Sequence, residues 1–179
     1  MGALQFCNLY MLGLRRKNSL LDFGCGSLRL GRFLIQFLDA GKYFGIEPEE
    51  NLIESGIKEN VLAEQVKAKT PSFRISDDCN MAAFNVKFDY IIAQSVFTHL
   101  PKRLIMTSLK SAARAMHRAS IFLVNYKVGK RDYEGDLWTQ KNITYRPKTM
   151  MELINEAGLV ATPVHLIHTN IQEWLAVRK

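Results

Sequence analysis

Ser19–Leu34 reads SLLDFGCGSLRLGRFL, and this stretch decides the fold. A short apolar run, Leu20 and Leu21, ends in Asp22. Phe23, Gly24, Cys25 and Gly26 follow, and after Ser27 apolar residues recur at helical spacing. That is a strand, a tight glycine turn and a helix, the opening of a nucleotide-binding βαβ unit. The two glycines have separate uses in such a turn. One takes backbone angles that a side chain forbids, and the other lets the backbone approach a ligand closely.

Upstream of this stretch, residues 3–12 carry apolar positions at helical spacing, and Gly13 suits the end of that helix. Downstream, the pattern predicts a helix over 29–38, a strand over 42–46 and a helix from Pro48 to 58, because proline is favoured in a first helical turn. Residues 59–72 are polar and show no clear period. A short strand over 73–76 ends in Asp77 and Asp78. Phe88–Gln94 (FDYIIAQ) reads as a strong strand, Pro101 opens a helix to about 117, and 121–126 is a further strand. A charged, aromatic loop fills 127–146. A helix over 147–157 stops at Gly158, and strands over 159–167 and 172–177 form an antiparallel hairpin. Strands alternating with helices predict an α/β fold: a Rossmann-like three-layer αβα sandwich whose mostly parallel seven-stranded sheet takes an antiparallel final strand.

Composition narrows the class. The 179 residues are 47% hydrophobic and 23% charged, as expected of one globular domain spanning 1–179, with 1–18 as an N-terminal helix and link. No apolar run approaches the roughly 20 residues that span a bilayer, which argues against membrane partners. The first residues lack the pattern of a signal peptide, and Phe6 stands where a myristoylation signal needs Ser or Thr. Cys7, Cys25 and Cys79 have neither metal-ligand spacing nor a disulfide framework, so no metal site and a reducing, cytoplasmic compartment are expected. The net charge of +7 would steer an anionic partner. Arg103, Lys110, Arg114 and Arg118 nearly align on one helix face, although the basic residues are spread along the chain.

Two ligand classes use such a turn together with an acid about twenty residues on. Glu47, 21 residues after Gly26, serves both. Two other features decide between them. A dinucleotide fingerprint requires a third glycine where Arg29 stands, and Asp22 beside the turn would repel a pyrophosphate. A carboxylate there suits a ligand carrying an ammonium and a sulfonium.

Asp22-x-Gly24-x-Gly26, Glu47 and FDYIIAQSVFTHL resemble the class I S-adenosylmethionine-dependent methyltransferases, and the resemblance covers essentially the whole chain. One departure is Leu28, where many members carry a glycine. The resemblance implies S-adenosylmethionine as cofactor and S-adenosylhomocysteine as product. It places Asp22, Gly24, Cys25 and Gly26 at the methionine end, Glu47 on the ribose hydroxyls with Pro48 beside it, and Asp77 or Asp78 at the adenine amino group. Gln94 and Ser95 would stand by the methionine amine and the transferred methyl. Arg29 would pair the methionine carboxylate or lie on the surface.

For the methyl acceptor, His99 is the candidate base, since it follows the fourth strand and precedes Pro101. Tyr126, Trp138, His168, Asn170 and Gln172 are candidate substrate contacts, and 127–146 is a candidate lid. His117 at a helix end and His165 inside a strand read as structural. The leading reading is methyl transfer to an oxygen or nitrogen of a small molecule. A nucleic-acid methyltransferase is the alternative. Against it, Ala93-Gln94-Ser95-Val96 is not the Pro-Pro-aromatic motif of base amino methylation, and no Pro-Cys nucleophile follows the strand. A non-catalytic, cofactor-binding partner subunit is a third reading, raised by the short N-terminal segment. A second copy of the chain is a candidate partner.

Overall fold

In the computed structural model, residues 2–61, 63–166 and 172–179 are described. The chain divides into two compact units, Met1–Asp78 and Cys79–Lys179.

The first unit begins with helix α1 (Gly2–Met11). It stops at Gly13, whose φ of 103° lets Leu14 N–H donate back to Leu9 O at 3.0 Å. Strand β1 (Leu20–Phe23) is buried throughout and runs parallel to β2 (Tyr43–Glu47), with Asp22 opposite Gly45. β2 in turn pairs in parallel with β3 (Ser72–Ile75). Helix α2 (Gly31–Phe37) starts two residues later than its periodicity suggests, because Leu28 takes a φ of 58° and holds the chain in a turn. Helix α3 (Glu50–Asn60) also starts late. Pro48 precedes the cap residue Glu49, whose N–H is taken by the Glu47 carboxylate at 3.2 Å, so Pro48 is not in a first helical turn. The polar stretch holds a short helix of seven residues, α4 (Ala63–Lys69). No α4 residue is buried, so no apolar stripe announced it.

The second unit starts with a 3₁₀ turn (Met81–Phe84), then β4 (Phe88–Ala93) and α5 (Lys102–Ala115). β5 (Met116–Tyr126) is longer than expected. Phe88 pairs with Met116 and Tyr90 with Ile121, so residues 117–120 bulge out of the ladder. Ser120 Oγ closes the bulge by donating to Phe88 O at 2.6 Å and accepting from His117 N–H at 2.8 Å. His117 therefore lies on the strand, with Nε2 3.1 Å from Asp89, and does not end a helix. Helix α6 (Pro147–Glu156) takes proline in its first turn, and Gly158 follows it with a φ of 74°. β6 (Val160–Val164) and β7 (Glu173–Arg178) are antiparallel, and β7 is also antiparallel to β5. His165 lies just past β6 and is exposed, so it does not pack inside a strand.

The seven strands form one sheet in the order β3-β2-β1-β4-β5-β7-β6. It is mostly parallel, with β7 running against both neighbours, as the Rossmann-like expectation required. Pro163 lies in β6, the edge strand, where a missing donor is tolerated. Among the described residues no helix is long and apolar enough to cross a membrane.

Candidate active site

The glycine turn is hooked onto the end of β2. Gly24 N–H and Cys25 N–H both donate to Ile46 O, at 2.8 and 3.1 Å. Gly26 N–H donates to Glu47 Oε2 at 2.9 Å, while Oε1 of the same carboxylate accepts from Glu49. Glu47, 7% exposed, thus clamps the turn to the approach of α3. Gly24 and Gly26 have φ of 77° and 51°, so both need left-handed angles. A Cβ placed on Gly26 would meet nothing within 4 Å, so the turn leaves open space over its backbone.

Asp22 is buried at 5% exposure and accepts from the Tyr43 hydroxyl at 3.0 Å. Burial pushes its carboxyl up to about 7; the Tyr43 hydrogen bond opposes the shift and the charge of Glu47 adds to it. The Cys25 thiol is pushed up by burial and by the charges of Asp22 and Glu47, so it stays neutral. Among the described residues no lysine or arginine pairs with Asp22 or Glu47. Two buried carboxyls without a protein cation, beside open space at a glycine turn, fit a cationic ligand and not a pyrophosphate. Tyr43, which the sequence did not single out, is the group that holds Asp22.

The remaining predicted residues of this unit are peripheral to the clamp. Arg29 is exposed and stands in the turn ahead of α2, outside the helix. Asp77 and Asp78 follow β3 and are exposed. Arg74 grips Asp78 with two hydrogen bonds, 2.7 and 2.6 Å, four residues apart.

In the second unit, β4 ends in a polar knot. Ser95 has a φ of 56°. Its N–H donates to Asn125 Oδ1 at 2.6 Å. Its hydroxyl accepts from Gln94 Nε2 at 2.8 Å and donates to Gln172 Oε1 at 3.3 Å, and its carbonyl accepts from Thr98 Oγ1 at 2.9 Å. Asn125 is fully buried on β5, and its Nδ2 has no partner among the described residues. Asn125 escaped the sequence reading, although one amide inside the apolar run IFLVNY was a visible signal. Gln172, read as a turn residue, is instead buried just ahead of β7 and tied to Ser95. His168 and Asn170 lie outside the described residues.

His99 Nδ1 is 2.9 Å from Thr139 O. A carbonyl can only accept, so Nδ1 donates to it, which makes Nε2 the lone-pair nitrogen of the neutral tautomer. The 127–146 loop wraps this turn. Thr139 N–H donates to His99 O at 3.2 Å, Ile143 N–H to Thr98 O at 2.8 Å, and the Tyr145 hydroxyl to Leu100 O at 2.9 Å. Trp138, 55% exposed, lies with its ring centre 6.2 Å from that of His99. The loop is pinned at its base by Asp132, which accepts from Arg146 and Thr149. The Arg146 guanidinium holds the Asp132 carboxyl well below the usual carboxylate range. Tyr126 is buried at the end of β5, its hydroxyl 3.5 Å from Glu173, and burial pushes its phenol up.

The chain is similar to known proteins in sequence family and in fold. A sequence-family profile described as "Methyltransferase domain" matches residues 21–119, more than half of the chain. No curated protein matches the chain by sequence. The fold is similar to that of magnesium protoporphyrin IX methyltransferase from Synechocystis with bound SAM, at TM-score 0.70 and 18% identity, covering 99% of this chain and 80% of that one. It is also similar to an S-adenosylmethionine-dependent methyltransferase from Clostridium acetobutylicum, at TM-score 0.73 and 11% identity, with 99% and 89% coverage. A glycopeptide N-methyltransferase complexed with S-adenosyl-L-methionine gives TM-score 0.74 at 11% identity, with 99% and 93% coverage. The profile match, on a fold with this strand order, means that the chain belongs to the methyltransferase domain family of class I, S-adenosylmethionine-dependent enzymes.

Proposed function

We propose that the chain transfers the methyl group of S-adenosylmethionine to an oxygen or nitrogen of a small-molecule acceptor, with His99 as the base. The observation that carries this reading is the hydrogen bond from His99 Nδ1 to the Thr139 carbonyl. It leaves Nε2 as the basic nitrogen and orients the ring, as a base-orienting group does in general acid–base catalysis.

In this reading the first unit holds the donor. Asp22 faces the ammonium of the methionine end, and the backbone of Gly24, Cys25 and Gly26 lines it. Glu47, with Pro48 beside it, accepts from the ribose hydroxyls. Asp77 or Asp78, just after β3, accepts from the adenine amino group; Arg74 engages Asp78. Arg29, exposed beside the turn, is the cation offered to the methionine carboxylate. The cofactor supplies a methyl group already activated by the sulfonium. The protein therefore mainly has to align the partners, which can be worth about 7–11 kcal/mol.

The second unit is assigned to the acceptor. Gln94 and Ser95, the latter held by Asn125, stand by the methionine amine and the transferred methyl, and Gln172 stiffens this side through Ser95. Trp138 offers an exposed ring next to His99, and the loop that carries Thr139 excludes water when it is closed over the turn. Tyr126 and Gln172 are buried, so their contribution is to shape the wall. The named acceptors of two structural relatives, a magnesium porphyrin and a glycopeptide, are compatible with a small-molecule or peptide-sized substrate.

The test is a screen of phenols and amines, read by release of S-adenosylhomocysteine. With the acceptor found, His99→Ala should lower kcat about 100-fold or more while the cofactor Kd stays within about 2-fold. Unchanged turnover would remove His99 from catalysis. Transfer to RNA alone, with no small molecule accepted, would overturn the substrate class.

A further inference from the structure

The surplus of positive charge is not shared by the two units. Residues 1–78 hold ten Lys and Arg against ten Asp and Glu, whereas residues 79–179 hold fourteen against seven, so the whole net +7 belongs to the second unit. Within that unit the fold gathers cations at the amino ends of β4 and β5. Lys87 Nζ donates to Arg114 O, and Lys179 Nζ donates to Ala113 O at 3.2 Å, so lysines from both ends of the unit's sequence reach the last turn of α5. Lys110 and Arg114 lie one helical turn apart on α5, Arg118 sits in the bulge that opens β5, and Arg178 ends the antiparallel β7. All four are exposed, and none makes an ion pair among the described residues. Of the acids at this end, Asp89 faces His117, and Glu156 stands alone at the end of α6. Arg103, which sequence spacing grouped with this face, belongs to the other end of α5, where it donates to Asp136 O at 3.0 Å.

Favourable placement of ammoniums at a helix carboxyl end accounts for Lys87 and Lys179. It also favours Arg114 in the last turn of α5, but it does not account for Lys110, Arg118 and Arg178. We propose that this end of the second unit binds the phosphate backbone of a nucleic-acid strand, at the opposite end of β4 from Gln94–His99. The strand is a partner and not the methyl acceptor, so this inference does not rest on the acceptor reading. Two features favour nucleic acid over other anionic surfaces. α5 exposes no large apolar side chain of the kind that anchors an amphipathic helix in a lipid surface. The patch also lacks the aromatic anchors that dominate protein interfaces.

The experiment is fluorescence anisotropy of the full chain with labelled single-stranded RNA of about 20 nucleotides. Four phosphate contacts predict a log–log salt slope near −2.8, or about fifty-fold weaker binding at 200 mM than at 50 mM salt. The double variant Lys110→Glu/Arg118→Glu should bind at least about 10-fold more weakly, with the slope reduced by about 1.4, while its S-adenosylhomocysteine affinity stays that of the wild type. A loop variant, Lys130→Glu/Arg131→Glu, should bind RNA as the wild type does. The assignment is overturned if the wild-type chain does not bind RNA at 50 mM salt, or if the α5 variant binds as tightly as the wild type. It also fails if the loop variant alone loses binding, or if vesicles of phosphatidylserine and phosphatidylcholine are bound in preference to RNA.

Discussion

Asp22, proposed to meet the ligand, costs the fold stability in its ionised form. Buried on β1, it is pushed up to about 7 from 3.8, chiefly by loss of solvent. Between those two pH values the folded chain keeps a proton that the unfolded chain releases. The contribution of Asp22 to stability is therefore full below about pH 4, declines as pH rises towards 7, and stays low above that. Asp22→Asn keeps an oxygen for the Tyr43 hydroxyl and removes the ionisation. The variant should melt a few degrees above the wild type at pH 8 and gain nothing at pH 4, as read by calorimetry across that range. On the role proposed for Asp22, its cofactor affinity should fall at least about 10-fold, because the charge that would meet the methionine ammonium is gone. A variant that melts lower than the wild type at pH 8 would contradict the burial argument.

The glycine turn owes its shape to α3. Gly56 and Asn60, one turn apart, both meet Ser27, and Gly56 also lies against Leu28. Asn60 Nδ2 donates to Ser27 O at 3.2 Å, and a Cβ on Gly56 would lie 2.6 Å from Ser27 C and 2.7 Å from its oxygen. Leu28 pays for its φ of 58°, about 1–2 kcal/mol, by full burial between Gly31 and Gly56, worth about 1.5–3 kcal/mol. That compensation explains how a leucine holds a left-handed position in the turn. Gly56→Ala must lift the turn, since the obstacle is backbone. It should cost about 1–3 kcal/mol in denaturant unfolding and weaken S-adenosylhomocysteine binding. Gly41→Ala is the control: its φ is positive, at 70°, unlike that of the helical Gly56, and a Cβ there meets nothing within 4 Å. It should cost only the backbone strain and leave ligand affinity intact. Equal losses of affinity in the two variants would refute the buttress.

For the whole molecule, cofactor binding and folding are linked. S-Adenosylhomocysteine at 100 times its Kd should stabilise the chain by about 2.7 kcal/mol, raising the melting temperature by roughly 5–11 °C. NADH should not. A shift with NADH and none with the adenosyl ligand would refute the reading of the turn. The parts of the chain legible without coordinates were those whose partners are near in sequence or whose burial repeats. Asp22-x-Gly24-x-Gly26 and the apolar strands are of this kind, and the spacing to Glu47 follows from the length of one βα unit. α4 was hidden because it buries nothing, and the bulge at 117–120 because its residues follow no period. The composition and local spacing determined the fold class, the turn and its preference for a cation. Only the tertiary structure decided that Tyr43 holds Asp22, that Asn125 holds Ser95, that Thr139 orients His99, and that Lys87 and Lys179 meet at one helix end. The physical reason is that spacing along a strand or helix is imposed by backbone geometry. Pairings across 21, 30, 40 or 66 residues depend on sheet register and loop docking, which no local pattern encodes.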